Sequence, residues 1–146
     1  MNASKLRAHV QRAVLPLLAD DASPLEIAPA WFVEPKDGTP TLFRARHVHG
    51  LAATNDRLFV VRLPHRRAAD ADDVVVDERI GDCELVRLRN WMPLQQVWLR
   101  RPDGRELVLE LRVAQRRTGR AIADAARGAN RAPLPTDTPE ATPSPS

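Results

Sequence analysis

The chain has 146 residues, a single cysteine and a net charge of +3, with 43% apolar and 28% charged residues. These values fit one globular domain that closes its own core. They exclude an internal disulfide, because Cys83 has no partner. They also exclude a membrane span, because the purely apolar runs, such as residues 58–61, are four residues long where about 20 are needed. No signal-peptide core follows the polar opening, which places the expected location in the cytoplasm.

Leu6, Val10, Val14 and Leu17 or Leu18 recur every three to four residues, predicting an N-terminal helix capped by Ser4 and ended or kinked by Pro16. Ser23-Pro24-Leu25-Glu26 matches a capping box, but Pro29 limits any helix there to one turn, with an extended segment as the alternative. Residues 30–33 and 41–46 read as strands around the turn signal Lys36-Asp37-Gly38. Residues 47–54 lead into a tight turn at Asn55-Asp56, and residues 57–63 suit a strand covered on both faces. Residues 64–73 read as a charged loop and Val74, Val75 and Val76 as a short strand. Residues 83–89 alternate, with Leu85 and Arg87 on one face and Val86 and Leu88 on the other. Val97, Trp98 and Leu99 run into Asp103-Gly104, a strong hairpin signal. Leu107, Leu109, Leu111 and Val113 then alternate with Glu106, Val108, Glu110 and Arg112, predicting a strand with one buried face. Residues 115–127 predict a last helix whose apolar side is Thr118, Ala121, Ile122, Ala125 and Ala126, with Gly119 weakening it and Gly128 as its stop. The proline-rich residues 132–146 lack apolar side chains to dock and are expected to be disordered.

This order predicts an α+β fold: a bent antiparallel sheet or partly open barrel of five to seven strands, an N-terminal helix and a C-terminal capping helix. The pattern Gly50-Leu51-Ala52-Ala53-Thr54-Asn55-Asp56-Arg57-Leu58-Phe59-Val60-Val61, the hairpin of residues 97–113 around Asp103-Gly104, and the terminal helix of residues 115–127 resemble the bacterial PH-like (pleckstrin-homology-like) domains, relatives of the GRAM and YokE-like groups. The resemblance covers most of residues 30–127. It implies a binding or scaffolding module with no catalytic residues to carry over. The expected organisation is a helical lead-in over residues 1–29, the PH-like sheet with its helix over 30–131, and the tail over 132–146.

His47 and His49, two apart on a strand, point the same way; Cys83, His9 and His65 are candidates for a third ligand, but none sits at metal spacing, so the two read as a surface pair. Cys83 lies between Asp82 and Glu84, whose charges raise a thiol's pKa, so it reads as an inert thiol. Asp70, Asp72, Asp73, Asp77 and Glu78 lack the calcium-loop pattern and read as a solvated acidic loop partly neutralised by Arg66 and Arg67. Residues 1–99 balance 13 basic against 13 acidic side chains, whereas residues 100–131 carry nine arginines against four acids. Within that segment Arg116, Arg117 and Arg120 fall at helical spacing and form a candidate anion-binding face. Trp91 and Met92, between strands, form a candidate partner anchor.

The sequence shows no paired acid and base, phosphate loop or metal set, so neither an enzymatic activity nor a cofactor is expected. The expected function is a binding or scaffolding module for a protein partner or for its own copies. The alternative is an anionic ligand, a lipid headgroup or nucleic acid, taken by the C-terminal arginines.

Overall fold

The computed structural model describes residues 2–18, 26–34, 47–91 and 93–131. The turn signal at Lys36-Asp37-Gly38, the strand expected over 41–46, Met92 and the tail lie outside them. Seven strands form one antiparallel sheet: β1 (Glu26–Val33), β2 (Val48–Ala53), β3 (Arg57–Arg62), β4 (Val74–Arg79), β5 (Glu84–Trp91), β6 (Leu94–Arg100) and β7 (Glu106–Arg112). Their spatial order is β4-β3-β2-β1-β7-β6-β5. Helix α1 (Ala3–Val14) precedes the sheet and α2 (Arg116–Arg131) follows it. Glu26 begins a strand, so the extended reading holds there.

The sheet is curled rather than flat. One core joins Ala28 and Ala30 of β1, Leu51 of β2, Leu58 and Val60 of β3, Val76 of β4, Val97 and Leu99 of β6, and Leu107, Leu109 and Leu111 of β7. Leu85 and Leu88 of β5 pack against it, and α2 adds Ile122 and Ala126. Strands at opposite ends of a seven-stranded sheet share a core only if the sheet wraps around it. This bent half-barrel with a capping helix is the PH-like architecture that the resemblance implies.

A second core lies on the outer face. Leu6, Val10, Ala13 and Val14 of α1 pack against Ala52 of β2 and Phe59 and Val61 of β3. β3 is therefore buried on both faces, as its unbroken apolar run predicts. Gly50 permits the approach of α1, since a Cβ there would stand 2.3 Å from Val10 Cγ2. The helix is capped by Asn2, not Ser4: Asn2 is extended and its Oδ1 accepts the Lys5 amide at 2.9 Å. It ends at Val14, and Pro16 sits in a 3-10 turn, Leu15–Leu17.

Three local readings change. In β5 the pairing with β6 shifts between Leu85 and Arg87. This bulge puts Leu85 and Leu88 on the core and leaves Val86 37% exposed. In β7 both faces are covered, so Val108 and Glu110 are buried. The cause is position: β7 lies between β1 and β6, with Trp31 opposite Glu110 on one side and Gln96 on the other. In α2 the buried side is Thr118, Gly119, Ile122, Ala123 and Ala126, while Ala121 is exposed. Gly119 turns this side inward, because a Cβ there would stand 2.2 Å from Gln95 Oε1 on β6. The Asp103-Gly104 turn forms as expected, with Gly104 at φ 88° and its amide donating to Arg101 O at 2.9 Å.

Candidate functional site

Where α1 leaves the sheet uncovered, a groove of about 1270 Å³ opens between the start of α1, β1, the start of β2 and the end of β3. Its apolar wall follows from strand alternation. Ile27, Pro29 and Trp31 of β1 have the parity that faces α1, and Leu6, Val48 and Leu63 continue the surface. α1 does not close this end: Ile27 and Leu63 are only half-buried, and Val48 is 45% exposed. His49 and Arg62 have the opposite parity and stand side by side across β2 and β3, so the groove continues around the end of the sheet.

The charged and titratable residues lining it are Arg7, His47, His49, Arg62, His65 and Arg112. Among the described residues no acidic side chain lines it. The His49 ring donates from Nδ1 to His47 O at 3.0 Å. It packs edge-to-face on Phe32, with centroids 5.6 Å apart. Burial pushes the His49 pKa below its ordinary value, and the charges of His47 and Arg62 push the same way, against the raising effect of the bond to His47 O. Arg112 stacks over the Trp31 ring at 5.7 Å. Arg62 gives one nitrogen to Asp73, with Nη2 3.0 Å from Oδ1.

Asp73 corrects the reading of a solvated acidic loop. Its side chain is fully buried and accepts from Arg67 through both oxygens, at 2.7 and 2.8 Å, as well as from Arg62 and the Asp70 amide. Arg67 beside it holds its carboxyl well below the usual range, the other donors add to this, and burial opposes them. The loop is thus folded onto a buried carboxylate. His9 of α1 ties it down further by accepting the Ala69 amide at 3.0 Å.

The sequence-singled residues are dispersed. The structure brings His47 and His49 to the groove, and Arg112 joins them from the arginine-rich segment. Arg116, Arg117 and Arg120 are exposed on α2, just beyond Gln115, which lines the groove. Trp91 ends β5, while Met92 lies outside the described residues. Cys83 is 1% exposed, and burial, with Glu78 and Asp82 nearby, pushes its thiol up to about 11. Among the described residues no three His, Cys, Asp or Glu side chains gather to hold a metal ion. No described helix is long and apolar enough to cross a membrane. Sequence reasoning missed Arg7 and Arg62, because no motif links them and only the fold brings α1 beside the ends of β2 and β3; it weighed His65 only as a metal ligand.

No family model matches the chain, and no curated protein matches it. Among solved structures the chain is similar to the apo structure of the activated truncation of Vav1, at 9% identity and a TM-score of 0.46, over 76% of this chain and 27% of that one. It thus spans about a quarter of the Vav1 chain. It is also similar to the solution structure of the N-terminal PH domain of human ARAP2, at 10% identity and a TM-score of 0.45, over 84% of this chain and 91% of that one.

Proposed function

We propose that the protein is a non-enzymatic binding module and that the groove beside α1 takes an anionic ligand. The supporting observation is the lining: among the described residues it holds three arginines, three histidines and no acid. A concave site with one sign of charge focuses its field and raises the local concentration of counter-charged ligand. The exposed arginines 116, 117 and 120 of α2 add to that field. Amide chemical shifts during titration with inorganic pyrophosphate at low salt test the reading. The shifts should centre on residues 47–49 and 62–65 and fade as salt rises. Reversing Arg7 and Arg112 to Glu should weaken binding about tenfold or more, equivalent to about 1.4 kcal/mol. Shifts confined to α2, or none, would reject the groove as the site.

A second reading, engagement of a protein partner or of a second copy, draws on the two edge strands. Val75 on β4 and Val86 on β5 are exposed, at 42% and 37%. Exposed edge strands are templates for pairing. Concentration-dependent sedimentation that Val86→Lys abolishes would support this reading, and a monomer at all concentrations would remove the self-association half of it.

A further inference from the structure

We propose that the ligand of this groove is a monomeric single-chain amphiphile, with an anionic head at the His49–Arg62 end and an alkyl chain along the wall of Leu6, Ile27, Pro29, Val48 and Leu63. The proposal rests on the anionic-ligand reading and deepens it.

Two properties of the groove point to this class. The first is size: about 1270 Å³ is above the usual range for small-ligand sites, roughly 300–1000 Å³. A compact anion fills a fraction of that. The second is the separation of chemistries. The apolar wall has the parity of the α1 face, and His49 with Arg62 has the other parity. A compact anion would leave the half-buried Ile27 and Leu63 and the exposed Val48 in water. An uncharged alkane would offer nothing to the basic lining. A molecule with both parts satisfies both surfaces. Nucleic acid fits less well, because Trp31, the one aromatic of the wall among the described residues, has Arg112 over its ring.

The test is a series of methyl, octyl and decyl phosphate, kept below micelle-forming concentrations and titrated into the full chain by calorimetry and amide shifts. Decyltrimethylammonium supplies the opposite charge, and phosphatidylglycerol vesicles supply a membrane surface. The expected result is affinity that rises about two- to fourfold per added methylene, with shifts at residues 27–31, 47–49 and 62–65. Val48→Asp should abolish the chain-length dependence. Val86→Asp, at another exposed valine, on β5, should keep it, and both variants should give native spectra because neither side chain is in a core. Methyl phosphate binding as tightly as decyl phosphate at the groove overturns the amphiphile and leaves the anion reading standing. Decyltrimethylammonium binding as tightly as decyl phosphate overturns both, as does the failure of every anion to bind. Binding to the vesicles alone overturns the monomeric ligand, and equal loss in the two valine variants overturns the placement on this wall.

Discussion

At Gly119 helix propensity and packing pull in opposite directions. Alanine is a better helix former by about 1 kcal/mol, yet its Cβ would stand 2.2 Å from the buried Gln95 Oε1. Gln95 has little room to yield, since its Nε2 is held by Asn90 Oδ1 at 3.0 Å. Gly119→Ala should therefore cost about 1–3 kcal/mol in urea unfolding. In a Gln95→Ala background the same change should be neutral or stabilising, and a stabilising effect in the wild type would contradict the close approach. Asp73 gives a pH signature. Its folded carboxyl titrates below its ordinary value, so the stability it confers is present above about pH 4 and is lost as pH falls further. Asp73→Asn should lower stability at pH 7 by about 2 kcal/mol, less than a fully buried pair because both arginines are half exposed. It should also flatten acid unfolding below pH 4, measured by circular dichroism. The raised thiol of Cys83 carries a similar expectation. Iodoacetamide at pH 8 should label the native chain only as fast as the domain opens.

At the scale of elements, patterns of period two were readable wherever the strand was regular. Leu107, Leu109 and Leu111 face the core as their spacing states, and Asp103-Gly104 makes its turn. The run Leu58-Phe59-Val60-Val61 was readable as a strand covered on both faces, although nothing in it shows that α1 is the outer cover. The β5 pattern misled because a bulge adds one residue to one strand and reverses the parity beyond it, which no count along the chain reveals. Glu110 misled for another reason: its burial comes from Trp31 and Gln96, brought beside it by pairing with strands distant in sequence. The bulge is open to test. Leu88→Asp should lower stability by about 3 kcal/mol or more because it places a charge against the core, and Val86→Asp should stay within about 0.5 kcal/mol. Equal effects in thermal unfolding would put the shift elsewhere.

The groove exists only at the scale of the whole molecule, for its residues run from Asn2 to Gln115 and share no motif. The sequence revealed His47 and His49 as a same-side pair and residues 100–131 as basic, and it left Arg7 and Arg62 unremarked. Binding there should depend on pH. His49 holds its proton less readily than a free histidine, through burial and through His47 and Arg62 beside it, while Arg7, His65 and Arg112 also face the groove. An anion in the groove favours the protonated ring, so affinity for pyrophosphate should rise as pH falls below the ordinary value of 6.5. His49→Gln should flatten that rise between pH 7.5 and 5.5. The strand that carries Arg62 has a further property that follows from its two cores. With α1 over one side of β3 and the curled sheet's interior on the other, its amides can meet solvent only when both packings open together. In native-state hydrogen exchange they should be among the last to take up deuterium, at the free energy of global unfolding. The edge strands β4 and β5, each paired on one side, should exchange through small local openings, so the clock of the whole domain is read from β3.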